Sequence, residues 1–105
     1  MLALTLLLAQ APLVQFNLES GSSGQVELKL CLQGSGQQVR YELLVRRSGE
    51  SGTAQSRQSG QARADAHLLC PVRSVQAVRP DTRVDARLRW WLDGIEQPEM
   101  LKTYP

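Results

Sequence analysis

The chain has 105 residues, 42% of them hydrophobic and 21% charged, with a formal net charge of +2. That length makes one domain around one core, and so small a net charge argues against a nucleic-acid binder. Ten of the twelve cationic residues are Arg, which favours planar, bidentate and stacking contacts over diffuse attraction.

The first eleven residues read as a secretory leader. Residues 1–8 are nearly all apolar, and Ala9-Gln10-Ala11 before Pro12 forms a small-x-small cleavage site. The leader is short and has no Lys or Arg in its first residues, so a buried first strand over residues 2–8 is the competing reading. The stretch is too short to span a bilayer, and no Cys follows the cleavage point to carry a lipid. With residues 1–11 removed, residues 12–105 form the domain, expected in an oxidising compartment such as a bacterial periplasm.

The rest of the chain alternates with a period of two, the pattern of half-buried antiparallel strands. Residues 13–19 alternate around Val14, Phe16 and Leu18. After a Gly/Ser turn, residues 25–32 (QVELKLCL) put Val26, Leu28, Leu30 and Leu32 inward and Glu27, Lys29 and Cys31 outward. Residues 37–47 follow beyond Gly34-Ser35-Gly36, with Val39, Tyr41, Leu43 and Val45 inward and Arg40, Glu42, Leu44 and Arg46 outward. Residues 48–60 are polar and weakly patterned, with room for a short edge strand over 53–58 that polarity and Arg57 would protect. Residues 61–72 alternate through Ala62, Ala64, Ala66, Leu68 and Cys70, which predicts one strand. Residues 73–80 are a connection with a short extended piece over 75–78.

The most strongly patterned stretch is residues 82–94 (TRVDARLRWWLDG). Val84, Ala86, Leu88, Trp90 and Leu92 share one face, and Arg83, Asp85, Arg87, Arg89 and Trp91 the other. Asp93-Gly94 supplies a hairpin turn, since both residues tolerate positive φ. A last strand over 95–103 contains Pro98, which places it at an edge or bulge. About seven such strands predict an all-β fold, an immunoglobulin-like antiparallel β-sandwich.

In that arrangement the third, sixth and seventh strands share a sheet. Its outer face collects Arg40, Arg46, Arg83, Arg87 and Arg89, interrupted only by Glu42 and Asp85. A solvated face is the plain interpretation, but mixed Lys and Glu would serve solubility as well. Trp91 on the same face either covers a sheet edge or anchors a partner, Trp and Arg being typical interface residues. The candidate partner-binding set is therefore Arg40, Arg46, Arg83, Arg87, Arg89 and Trp91.

One Cys pair in an exported protein ordinarily makes one disulfide. Alternation, however, points Cys31 outward and Cys70 inward, while a bridge needs facing Cβ atoms about 4.5 Å apart or less. A bulge near Gly34 or Pro71 would reconcile the two, and the residues leave both states open. No metal site is expected, because His67 is the sole His. His67 beside Asp65 lacks any activated nucleophile, so no enzyme and no cofactor is expected.

Taken together, the short Leu-rich leader, a first strand around Phe16, the VRYELLVRRSGE segment, the polar Gln/Ser middle and a penultimate strand ending in Asp93-Gly94 resemble the small periplasmic curli-assembly inhibitors, the CsgC/CsgH group. The final Tyr104-Pro105 fits the same pattern. The resemblance implies an immunoglobulin-like sandwich without catalysis, a monomer that keeps the major curli subunit from polymerising early. It implies contact through positive charge on the exposed sheet face, here the Arg row, and no membrane or nucleic-acid partner. Some members carry Cys-x-Cys at the start of the third strand. Ser35-Gly36-Gln37-Gln38-Val39 has none, which removes that redox role and makes the chain more similar to the CsgH branch. Two other classes compete: a structural or adhesive envelope module, and a redox or metal protein built on Cys31 and Cys70.

Overall fold

The structure, a computed structural model, describes residues 12–22 and 24–105. These form eight strands: β1 (Leu13–Ser20), β2 (Gln25–Gln33), β3 (Gln38–Gly49), β4 (Gly52–Arg63), β5 (Leu69–Ala77), β6 (Arg83–Leu92), β7 (Ile95–Glu96) and β8 (Met100–Tyr104). The expected leader, residues 1–11, lies outside the described residues. All strand pairs are antiparallel. One sheet has the order β1-β2-β5; the other has the order β4-β3-β6-β7, with β8 also paired to β6.

The core forms where the alternating faces of the two sheets meet. Phe16 of β1, Leu28, Leu30 and Leu32 of β2 and Val72 of β5 bury against Val39, Tyr41, Leu43 and Val45 of β3 and Val84, Ala86, Leu88 and Trp90 of β6. Burying each large apolar side chain contributes about 1.5–3 kcal/mol. Every inward residue expected on β2 and β3 is buried, as are the first four of β6. Asp93 (φ 48°) and Gly94 (φ 81°) make the expected hairpin turn. The Asp93 carboxylate also accepts the Gln38 N–H at 2.8 Å, so the turn caps the start of β3.

Five expectations need correction. The polar middle is a full twelve-residue strand, β4, hydrogen-bonded to β3 along its whole length without a register break. Its side chains are exposed on both faces except near its end, so burial imposes no pattern there. The strand expected over residues 61–72 is divided between the two sheets. Residues 61–63 finish β4, the chain crosses at the fully buried Ala64, and β5 runs from Leu69 to Ala77, so most of the connection expected over residues 73–80 is strand paired with β2. Asp65 and His67 thus lie in the crossing loop, where the Asp65 carboxylate accepts the His67 backbone N–H at 2.7 Å. The last strand is broken into β7 and β8 around Pro98, whose carbonyl accepts the Trp90 indole N–H at 3.0 Å.

The fifth correction concerns Cys31, which is 2% exposed and bonded to Cys70. Register between β2 and β5 passes from Leu30↔Val72 to Leu32↔Leu69, so β5 carries one extra residue at Cys70-Pro71. That bulge turns Cys70 to the face of Cys31, and Pro71, lacking an N–H, suits it.

Candidate interaction face

Cross-strand register builds the outer face of the five-stranded sheet. Going from β3 to β6, Arg40 lies opposite Trp91, Glu42 opposite Arg89, Leu44 opposite Arg87, Arg46 opposite Asp85 and Ser48 opposite Arg83. The five expected arginines and Trp91 therefore do share one face. Pairing of β4 with β3 adds a row the sequence did not assign to it: Arg57 lies opposite Leu44, Gln55 opposite Arg46 and Ser59 opposite Glu42. Leu44 is flanked by Arg57 on one side and Arg87 on the other, and these side chains with Glu42, Ser59 and Arg89 line a shallow groove.

The arginines fall into two groups. Those of β6 are all ion-paired: Arg83 with Asp85 at 3.2 Å, Arg87 with Glu99 at 2.9 Å, and Arg89 with Glu96 at 3.2 Å and Glu42 at 3.6 Å. Glu96 and Glu99 come from the segment after the hairpin turn, so acids beyond Glu42 and Asp85 interrupt the row. All these pairs are substantially exposed, and exposed pairs contribute about 0–1 kcal/mol each. They are readily exchanged for a partner's carboxylates.

Arg46 and Arg57 make no ion pair among the described residues. Asp85, opposite Arg46, is held instead by Arg83 and by the Thr103 hydroxyl at 3.1 Å. Arg40 stacks on the Trp91 ring at 4.0 Å from its centroid, and Arg89 approaches it at 5.1 Å. Trp91 is thus partly covered by its own neighbours, a cation–π arrangement that holds both guanidinium groups against its ring. The face offers planar donors set around two aliphatic residues, Leu44 of β3 and the exposed Leu101 of β8, which lies opposite Arg87.

No protein-family model and no curated protein matches the chain. Solved structures do match, among them the following two. R. palustris CsgH superposes with a TM-score of 0.61 over 83% of this chain and 87% of its own, at 20% identity. The E. coli curli protein CsgC superposes with a TM-score of 0.65 over 90% of this chain and 99% of its own, at 16% identity. The chain has the fold of CsgH and CsgC.

At these identities the likeness is one of fold, and it agrees with the resemblance read from strand order and spacing. The CsgC/CsgH fold places the Arg row on an open sheet face and the Cys31–Cys70 bridge on the other sheet, between β2 and β5. Among the described residues both cysteines are in that bridge, and no cluster of three His, Cys, Asp or Glu side chains is poised to hold a metal ion.

Arg57, Arg63, Leu101, Glu96 and Glu99 are among the face residues missed in the sequence. Arg57 was hidden because β4 has no apolar alternation to reveal its register. Glu96 and Glu99 flank Pro98, where the last strand breaks.

Proposed function

We propose that this protein is a periplasmic, chaperone-like inhibitor of curli subunit polymerisation that holds transient subunit conformers on the outer face of β4-β3-β6. The observation that carries the reading is this open Arg face on a fold shared with a curli protein, CsgC. Amyloid grows when extended segments stack with every backbone group paired to the next chain. A subunit caught before stacking exposes unpaired amides, and an acidic one would expose carboxylates beside them. Guanidinium groups bind carboxylates bidentately, lie flat on aromatic rings and are weakly hydrated, so they suit a shallow surface that must grip and release. Leu44 between Arg57 and Arg87 adds a small apolar seat. Contact would be brief and salt-sensitive, because exposed charges are screened over about 8 Å at physiological ionic strength.

A thioflavin-T time course of purified curli subunit with substoichiometric protein tests the reading. The intact protein should lengthen the lag, and more so at low salt. Arg46→Glu combined with Arg57→Glu should remove most of the delay. Both side chains are exposed and have no ion-pair partner among the described residues, so thermal stability should change by no more than about 0.5 kcal/mol. A full delay from a folded double variant, or none from the intact protein, sinks the proposal.

A further inference from the structure

The five-stranded sheet ends in β4, and this edge differs from the other free edges. β5 contains Pro71 and a bulge, β8 has five residues, and β1 packs beside β8. Proteins ordinarily blunt sheet edges by such means: proline, bulges, short length or cover. β4 has none of these four, and its only guard is the charge of Arg57 and Arg63 and the polarity of its other residues, which deters a cationic or apolar strand but not an acidic one. It is twelve residues long, in unbroken register with β3, free of proline and exposed on both faces for most of its length.

Its unpaired backbone can be assigned. The Ala64 N–H donates to the Gln37 carbonyl at 2.8 Å, toward β3. Antiparallel ladders alternate, so the even-numbered residues of β4 bond to β3 and the odd-numbered ones point their N–H and C=O groups outward. Thr53, Gln55, Arg57, Ser59, Gln61 and Arg63 thus present main-chain groups that no strand among the described residues pairs. By the same register, their side chains lie on the Arg face.

We propose that β4 is a docking edge that accepts an extended, acid-bearing polypeptide strand by β-augmentation. The only charges on β4 are Arg57 and Arg63, which lie on one face about 20 Å apart, and it has no carboxylate. Arg46 of β3 stands just behind the edge, opposite Gln55. An incoming strand with carboxylates on the matching face would meet these cations, whereas a second copy would set like charges against like. Both faces of β4 are polar, so burial does not fix the partner's register and many polar sequences fit. Main-chain pairing supplies the affinity and Arg57 and Arg63 the preference. The edge goes beyond the curli reading and stands or falls independently of it.

Amide hydrogen exchange by NMR tests this on the full chain. The probe is a synthetic peptide of alternating Thr and Glu as long as β4, compared with one carrying Lys in place of Glu. The acidic peptide should slow exchange at Gln55, Arg57, Ser59 and Gln61 by about ten-fold or more, leaving the amides of β8 unchanged. The Lys peptide should have no effect. Ser59→Pro should abolish the protection with little loss of thermal stability, since the outward Ser59 N–H bonds nothing in β3. Should that variant unfold, the two-peptide comparison on the unaltered protein decides alone. Shift changes confined to Arg46 and Arg87 without slowed edge amides would overturn the proposal. So would edge protection that rises with protein concentration and needs no peptide, which would mean a second copy occupies β4.

Discussion

Tyr41 and Gly60 are cross-strand partners on β3 and β4, and the phenol ring occupies the space that a Cβ on Gly60 would take. Tyr41 Cζ lies 2.7 Å from that position, with the phenol oxygen nearer still. Gly60 is thus needed for close approach, and the ring in turn covers a strand position with no side chain of its own. Gly60→Ala must push the ring off, an overpacking cost of about 1–3 kcal/mol. The smaller chain entropy of unfolded Ala offsets about 0.5–1 kcal/mol of this. A urea titration should show a lower midpoint with an unchanged slope, and an unchanged midpoint would mean that the ring has room to move. Trp90 illustrates a second local constraint. Its ring is inward, as alternation predicts, but its indole N–H finds the Pro98 carbonyl only because the chain breaks between β7 and β8. Trp90→Phe removes that donor and should cost about 1 kcal/mol for the hydrogen bond, plus the lost packing, in the same titration. Neither contact was legible in the sequence, since each depends on a partner placed by another strand.

Among the elements, β1, β2, β3 and β6 were legible because each buries one face, and burial imposes a period of two on the residues that can stand there. β4 was not legible for the converse reason: with both faces wet, Gly, Thr, Gln and Ser serve equally at every position. The alternation through Ala62, Ala64 and Ala66 misled in another way. A period of two reports which residues face inward, not whether the chain has left one sheet for the other, and the crossing occurs at Ala64. The disulfide is undecided in the sequence because its geometry depends on the one-residue bulge at Cys70-Pro71, which only the β2–β5 register reveals. Cys31 and Cys70 are 39 residues apart and clip the last strand of their sheet to its centre. Closing a loop of that size removes unfolded-chain entropy worth about 4 kcal/mol. Cys31→Ser with Cys70→Ser should therefore lose a large part of a small domain's stability, measurable by calorimetry as a strongly lowered melting temperature. If the double variant melts where the intact protein does, the bridge does not hold this sheet.

Across the whole molecule, a net charge of +2 conceals an uneven distribution. The outer face of β4-β3-β6 carries most of the arginines, while the acids Glu96 and Glu99 reach back to it from beyond the hairpin turn and occupy Arg89 and Arg87. These exposed pairs add little to stability, but they compete with any acidic partner for the same guanidinium groups. Removing the competitors should strengthen the face. Glu96→Gln with Glu99→Gln frees Arg87, leaves Arg89 paired with Glu42 alone and raises the local positive field, while each Gln keeps the shape of the acid it replaces. Against the curli subunit, and against the acidic peptide used for β4, the double variant should associate faster than the intact protein at low salt. At about 1 M salt, where screening reaches down to about 3 Å, the two proteins should behave alike. Stability should shift by no more than about 0.5 kcal/mol. A stopped-flow comparison across a salt series reads this directly. Equal rates at low salt would mean that partners approach along a different surface, and an advantage that persists at high salt would mean that the gain is not electrostatic.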